Sequence, residues 1–521
     1  MNTFPTINRL PPEVLALIPS FLTSHKDLVF TTHVCRHWRK TIIASPSLWS
    51  HLDNDAMHQN LVAVYMDRCG GVPLDVTFSS DMGKNISFVE KIVFHSSHIR
   101  DIRIPYHCWH YVAKFSDAFI FPLPSLRAVD LSIGHDISLP QFERPFFAEA
   151  TNMVSLRLSD CNLNSGTLLH FIIPTLTHLA LTFIEPRIPI VGELLELLRN
   201  SPLVESLQID ADVVLDVPEE DSAFPTRFQS VNLLYLRDVR LNWVVPRSQH
   251  TLLAHIQHPS NCSISMQARS DGNAAEPPRA AFPKSWDAFS LSDLSCVTLR
   301  MKREQMWTEC AVIITKSNGS SISISLTHCV DGFIMINGDG EVVREPNRDR
   351  DDDQILSEAI TLIRKLPLHW IRKFVLEDFK ADEMSKPESF EIPPALVELI
   401  CSEMPNLTTL TLTRTCVTEL LDMLTPPPPP PLMYLADLFY PNTTLESSTP
   451  CPILKVLEMR HPVWTSPRNC REVLALAKAR KHEEAPFERV FFCSPSVPMS
   501  IALGLSMYVG DVDIRYCDGC E

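Results

Sequence analysis

The chain has 521 residues, 45% of them hydrophobic, and its 62 acidic residues against 46 basic ones give a formal net charge of −16. This length is enough for several domains or for one elongated array. The acidic balance and the lack of a basic cluster argue against nucleic acid and against an anionic membrane surface as partners.

The cysteines and the apolar stretches indicate an intracellular protein. Fifteen cysteines are scattered without a pattern, and an odd count argues against a disulfide framework. No secretory signal is recognisable, and the longest apolar stretch, Leu168 to Ile184, is interrupted by polar residues and proline. Cys517 and Cys520 form a CxxC pair without a second pair at matching spacing, so we expect neither a zinc nor a redox site there. We predict a location in the cytoplasm, the nucleus or both.

Three short helices are predicted between Leu10 and Trp49. The first begins at Leu10-Pro11-Pro12-Glu13, because proline at the first helical positions sacrifices no hydrogen bond. Asp27 is the predicted cap of the second helix. The third runs from Val34 through Ile43 and stops before Pro46. Pro19 lies inside the first helix, where it removes a backbone hydrogen bond. We therefore predict that the helix kinks or ends early at this residue.

A unit of about forty residues seldom completes its own core, and the apolar residues of its first helix cover more than one face. One interpretation is a small helical bundle without a special partner. The other is a module that completes its core against a partner.

The order and spacing of the motifs in this segment resemble the F-box. The matching residues are Leu10-Pro11, Glu13, Leu15, Ile18 and Leu22, then Asp27-Leu28, Val34-Cys35-Arg36 with Trp38, and Pro46-x-Leu48-Trp49. The resemblance covers less than a tenth of the chain. It implies docking on a Skp-type linker and, through it, on a cullin of a ubiquitin ligase. The residues expected to contact the linker are Leu10, Pro11, Glu13, Leu15, Ile18, Leu22, Val34, Cys35, Trp38, Leu48 and Trp49.

After this segment an apolar-x-x-apolar-x-apolar pattern recurs. Its early copies end at Ile104, Leu131, Leu158, Leu181, Ile209 and Leu236, with spacings of 23 to 28 residues. This period is typical of a leucine-rich-repeat solenoid, in which each unit buries its face on its neighbours. Leu74-x-Val76 is a candidate first strand, and later copies end at Leu299, Leu376, Leu412 and Met459. Return helices are predicted at 191–198, 355–366 and 392–404.

One insertion interrupts the predicted array. Strand-like runs at 310–315, 321–326, 333–336 and 341–343 predict a β-meander, since Asn337-Gly338 is a strong hairpin signal. A charged loop, 344–353, is expected to follow. Pro426 to Pro431 predicts an extended surface loop, with docking to a proline-binding groove as the alternative.

The predicted fold class is α/β, with a three-helix F-box followed by an irregular leucine-rich-repeat-like solenoid with the meander inserted. The domains are 5–52, 60–309, 310–353 and 354–521. The whole resembles fungal-type adaptors that combine an F-box with such repeats.

No catalytic motif, cofactor signature or metal-ligand spacing is recognisable, and His107-Cys108-Trp109-His110 lacks a partner set. We therefore expect no enzyme activity, no cofactor and no metal. The predicted function is a substrate-recognition adaptor of an SCF-type ligase; the alternative is a repeat scaffold outside any ligase. Candidate residues for binding a protein target flank the buried strand positions: Asp130, Arg157, Asp210, Tyr235, Arg237, Arg300, Glu377 and Arg460.

Overall fold

The protein is a mixed α/β chain with helices at its N-terminal end. The computed structural model describes residues 10–22, 24–54, 57–78, 88, 91–92, 95–105, 123–132, 150–159, 172–183, 191–211, 229–242, 246–270, 291, 294–303, 307–329, 348–377, 393–413, 420–421, 424–425, 451, 453–460, 469–493, 497 and 499–515. The chain divides into two compact units, Met1–Pro259 and Ser260–Glu521. The predicted boundaries at 309/310 and 353/354 fall inside the second unit.

The three predicted N-terminal helices are present: α1 (Pro12–Ser20), α2 (His25–Thr31) and α3 (Arg36–Ile43), followed by a 3₁₀ turn, Pro46–Trp49. Helix α1 ends one residue after Pro19, as predicted. The prediction that Asp27 caps α2 is wrong. The helix begins at His25, so Asp27 lies in its first turn, where its charge suits the positive helix end.

An aromatic cluster joins these helices to the sheet of the first unit. Strand β1 (His51–Asp53) and helix α4 (Gln59–Cys69) follow the 3₁₀ turn. The Trp49 indole N–H donates to the Ile42 carbonyl at 2.9 Å, and its ring meets Tyr65 edge-on at 4.8 Å. The Arg68 guanidinium lies over the Trp49 ring at 4.4 Å. Burial raises the pKa of Tyr65 to about 12, so its hydroxyl stays neutral.

The remaining strands of the first unit are short and regularly spaced. They are β2 (Leu74–Thr77), β3 (Ile99–Ile104), β4 (Ala128–Ser132), β5 (Ser155–Ser159), β6 (His178–Phe183), β7 (Ser206–Ala211), β8 (Val231–Asn232), β9 (Asp238–Asn242) and β10 (Ile256–Gln257). Strands β1 to β7 and then β9 pair in that order, all parallel. Strands β8 and β10 form a separate parallel pair. From β1 to β7, strands that are neighbours in the sequence are therefore neighbours in the sheet, whereas β7 pairs with β9.

One apolar row runs across this parallel ladder. Its members are buried and lie in register on successive paired strands: Leu52, Val76, Ile102, Val129, Leu156, Leu179, Leu207 and Val239. Two helices connect strands of this unit: α5 (Val191–Arg199) lies between β6 and β7 in the sequence, and α6 (Pro246–Ala254) lies between β9 and β10. The predicted helix at 191–198 is confirmed, and Leu194, Leu195, Leu197 and Leu198 are buried on it.

A tight turn precedes the repeated strands. The backbone N–H groups of five residues each donate to the carbonyl of the residue three positions earlier: Leu126, Met153, Leu176, Val204 and Leu236. These five residues are buried, so each turn anchors the next strand in the core.

This turn corrects one predicted repeat. Leu236 is not the end of a strand, because it occupies the turn position, and the paired strand is β9. The segment contains two overlapping copies of the apolar pattern. The copy that folds is Leu236-x-x-Val239-x-Leu241, because it places Val239 and Leu241 in register with Leu207 and Ile209.

The second unit contains a mixed sheet. Its strands are β11 (Ser263–Ser270), β12 (Leu294–Arg303), β13 (Trp307–Lys316), β14 (Ser321–Cys329), β15 (Lys373–Glu377), β16 (Thr409–Thr413), β17 (Val456–Arg460), β18 (Arg489–Cys493) and β19 (Asp511–Arg515). Strand β13 is antiparallel to both β12 and β14. Strand β14 also pairs parallel with β11, and β12 with β15, from which a parallel ladder continues through β19.

The predicted hairpin of 310–315 with 321–326 is confirmed. Its strands are continuous with the sheet on both sides, because β12 and β14 each carry a second, parallel partner.

The helices of the second unit are α7 (Arg348–Arg364), α8 (Pro394–Glu398), α9 (Asn469–His482) and α10 (Met499–Leu505). A π-helical turn, Leu399–Glu403, extends α8. The expectation that 348–353 is a loop is wrong, because α7 begins at Arg348.

Several predicted features lie outside the described residues: the strands at 333–336 and 341–343, the six prolines, the 107–110 cluster and the CxxC pair. Within the described part of the chain, no helix has the length and apolarity needed to cross a bilayer.

Candidate functional site

An apolar patch lies exposed on α1 and its C-cap. Val14, Leu17, Ile18 and Phe21 are spaced so that they share one helix face, and we call them the docking patch. Phe21 is 82% exposed and Leu17 is 58% exposed. A face this apolar loses contact with water favourably only when a partner covers it.

The residues expected to contact the linker divide by burial. Pro11, Glu13, Ile18, Leu22 and Val34 are exposed. Leu10, Cys35 and Leu48 are half-buried. All eight keep atoms at the surface and remain candidates.

Leu15, Trp38 and Trp49 are buried, which corrects their expected surface position. Leu15 is 0% exposed on α1, which packs against α3 and the 3₁₀ turn, and Trp49 belongs to the aromatic cluster with Tyr65. A side chain already enclosed by its own chain has no free surface for a partner. We therefore assign these three to the core.

Sequence reasoning omitted Val14, Leu17 and Phe21 from the contact set. The signal was present, because Val14, Leu17, Ile18 and Phe21 follow an i, i+3, i+4, i+7 spacing. The residues that carry the F-box resemblance do not include these three positions.

A groove of about 520 Å³ lies over the polar face of the ladder in the first unit. Its centre is a row of residues in register on successive strands: Thr77, Arg103, Asp130, Arg157, Ala180 and Gln208. These positions alternate with the buried apolar row, so the strand geometry aims them away from the core. Asp130 and Arg157, two predicted target-binding residues, line this groove.

The first strands concentrate charge in the groove. Arg100 donates two hydrogen bonds to the Asp75 carboxylate, at 2.9 and 2.6 Å, and lies 3.4 Å from an oxygen of Asp101. The hydrogen bonds to Asp75 raise the pKa of Arg100. Burial, together with the neighbouring Asp75 carboxylate, raises the pKa of Asp101. This end of the groove therefore has two carboxylates on one guanidinium and suits a cationic ligand group.

The middle of the groove offers a cation. The Arg103 Nε lies 3.7 Å from an Asp130 oxygen, which partly neutralises both charges. Arg157, on the next strand, is exposed and has no ion pair among the described residues. The groove thus carries acidic and basic groups in a fixed order across successive strands, an arrangement suited to a partner of complementary charge.

The other predicted target residues of the first unit lie elsewhere. Asp210 is in β7, where it accepts hydrogen bonds from Gln208 and Asn242. Tyr235 and Arg237 are not strand residues, which is a correction: Tyr235 lies in the turn before β9, and Arg237 follows that turn, 3.7 Å from Glu205. The misplaced repeat at Leu236 is the reason.

Three predicted residues belong to the second unit. Arg300 and Glu377 are in register on β12 and β15 and form an ion pair of 2.7 Å. Arg460 lies on β17 and is 3.1 Å from Glu458, which also accepts from the Thr411 hydroxyl. These charges are directed mainly at each other.

Groove residues that sequence reasoning missed include His51, Asp75, Asp101, Arg103 and His178. Arg103 occupies the same place between two apolar residues as Asp130, so the rule that found Asp130 could have found it. His51 could not be found this way, because β1 does not carry the full pattern.

Comparison with known families concerns the N-terminal helices. Residues 7–55 match the family model described as F-box-like. A comparison with curated proteins gave no match. The chain therefore carries an F-box-like domain at residues 7–55, which supports an F-box protein.

Proposed function

We propose that this protein is a substrate-recognition adaptor of an SCF-type cullin–RING ubiquitin ligase. The F-box-like domain binds a Skp-type linker, which connects it to a cullin, and the charged groove binds a protein target. The observation that carries the proposal is the docking patch, because it exposes four apolar side chains within the domain whose family binds such linkers.

We take the parallel ladder of the first unit as a leucine-rich-repeat-like array, as in fungal-type adaptors. Its strands pair in sequence order, and a turn closed by a buried apolar residue precedes the repeated strands, so each unit closes its core on its neighbours. Such an array presents one row of mostly polar side chains. Asp130 and Arg157 are the best-placed target contacts.

The aromatic cluster connects the F-box-like domain to the sheet that carries the groove. Trp49 of the F-box-like domain packs on Tyr65 of α4, and β1 pairs directly with β2. The domain and the groove therefore belong to one compact unit, and a bound target keeps a fixed position relative to the linker. The adaptor breaks no bond; it raises the effective concentration of the target near the ubiquitin-loaded partner. This role implies a cytoplasmic or nuclear protein.

The test uses the full chain, a purified Skp-type linker and a matched pair of variants. Leu17→Asp places a charge in the docking patch, and Leu234→Asp places the same charge at a site of similar exposure, 67%, outside the F-box-like domain. We expect Leu17→Asp to weaken the linker at least tenfold in calorimetry, and Leu234→Asp to stay within twofold of the unaltered chain.

Equal binding by both variants would place the contact elsewhere. No binding by the unaltered chain would favour a repeat scaffold outside any ligase. Affinity purification from cells then asks whether a cullin is recovered with the unaltered chain and lost with Leu17→Asp.

A further inference from the structure

Three side chains of metal-ligating type converge where the F-box-like domain meets the ladder. His25 begins α2, and His51 and Asp53 lie two residues apart on β1, so they share one strand face. One ligand atom from each lies within 4.8 Å of the others. Neither the F-box resemblance nor the repeat pattern accounts for this meeting.

The two imidazoles are arranged in parallel. Their ring centroids are 5.7 Å apart and their planes differ by 14°. His25 is buried and His51 is exposed, so one ring is fixed by packing while the other is free to adjust. Tetrahedral zinc sites, with bonds near 2.0–2.1 Å, separate ligand atoms by about 3.3 Å. Because His51 is exposed, its side chain can rotate towards the other two ligands.

A second side chain, that of Tyr65, contacts the His25 ring on its Nδ1 side. The His25 Nδ1 lies 3.2 Å from the Tyr65 hydroxyl, and the Tyr65 ring meets the imidazole edge-on. Metal-bound histidines regularly engage their second nitrogen in such a hydrogen bond, which fixes the ring and leaves the other nitrogen for the metal. Here Nδ1 has its partner, and Nε2 is the nitrogen left for a metal.

We propose that His25, His51 and Asp53 form a divalent transition-metal site that takes Zn²⁺. Two imidazoles with one carboxylate suit zinc and its neighbours, whereas Mg²⁺ and Ca²⁺ prefer oxygen ligands alone. Three protein ligands leave a fourth position open. His51 also lines the charged groove, so the metal lies at the groove's edge and adds positive charge there. The metal links α2 to β1, the strand by which the F-box-like domain pairs with β2 of the ladder.

The test is zinc binding to the full chain after treatment with a chelator. Calorimetry with Zn²⁺ alone is expected to show about one site. His51→Ala and Asp53→Asn are expected to weaken it at least tenfold, and Tyr65→Phe to weaken it by about 10-fold, the lower end of the range for removing an outer hydrogen bond. His37→Ala is the matched control, since His37 is exposed on α3 and is not one of the three ligands, and it should leave affinity unchanged.

Cysteines elsewhere in the chain are the main competitors for zinc, and Co²⁺ distinguishes them. Cobalt in a nitrogen–oxygen site gives weak visible bands without a sulfur charge-transfer band. Such a spectrum, lost with His51→Ala, supports the site. A sulfur charge-transfer band that persists in His51→Ala, or zinc affinity unchanged in His51→Ala and Asp53→Asn, overturns the proposal. So does the absence of zinc binding by the unaltered chain. Linker affinity is measured separately, so failure here leaves the adaptor function standing.

Discussion

Two leucines on α1 permit a separation of binding from stability. Leu15 is 0% exposed and Leu17 is 58% exposed, although they are two residues apart in one helix. Replacing each with Ala removes the same atoms from the two sides of the helix. We expect Leu15→Ala to destabilise the first unit and Leu17→Ala to weaken linker binding.

The magnitudes follow from burial. A buried Leu→Ala change costs about 2–5 kcal/mol because it loses both transfer free energy and packing. In a unit of this size, about 3 kcal/mol lowers the melting temperature by roughly 6–12 °C. Leu17→Ala on the exposed face should change stability by no more than about 0.5 kcal/mol.

The binding effect of Leu17 is estimated in the same way. Fully burying a leucine side chain is worth about 1.5–3 kcal/mol. A partner that covers the exposed 58% of Leu17 gains about 1–2 kcal/mol of this, which corresponds to a Kd change of about 5- to 30-fold. Calorimetry with the linker and thermal unfolding of each variant measure the two effects independently.

Exchanged outcomes would contradict the assignment of Leu15 to the core and of Leu17 to the docking patch. Linker affinity lost in folded Leu15→Ala, with Leu17→Ala binding as the unaltered chain does, would mean that the linker contacts the face now assigned to the core. A Leu17→Ala variant that unfolds would mean that the docking patch is covered within the chain itself.

Three further predictions concern other parts of the molecule. Arg157→Glu should remove target proteins from proximity labelling while linker affinity is unchanged, whereas Arg127→Glu, exposed just before β4 and outside the groove lining, should keep them. Arg480 is fully buried and donates to the carbonyls of Cys451, Leu454 and Ala485, so Arg480→Ala should cost about 3–5 kcal/mol in denaturant unfolding and exposed Arg471→Ala little. Because the pKa of Asp101 is raised, its protonated form favours the folded state below about pH 3.8 and this contribution is lost as the pH rises through the folded-state pKa. Asp101→Asn should therefore be more stable than the unaltered chain at pH 7, with the difference shrinking towards pH 4; an equal difference at both values would contradict this.

The repeated strands were predictable from sequence because buried ladder positions demand apolar residues at fixed spacing. Two copies that follow the same rule, Phe487-x-x-Val490-x-Phe492 and Val509-x-x-Val512-x-Ile514, end in β18 and β19 and could have been found. Strand β11 was less accessible, since Asn261 stands three positions before Ile264, where the pattern requires an apolar residue. The error at Leu236 has a plain cause: two overlapping copies fit the pattern equally, and only pairing with β7 decides between them.

The candidate site was predictable only in part, because its key distinction is one of burial. Leu15 and Leu17 are the same residue type in the same helix, and nothing local separates them. What separates them is the chain that follows: α1 packs on α3 and the 3₁₀ turn. Once that side is occupied, Val14, Leu17, Ile18 and Phe21 stay partly or largely exposed. An apolar helix face that stays exposed is what a docking module requires. The fold therefore supports the linker-binding role on grounds that are independent of the sequence resemblance.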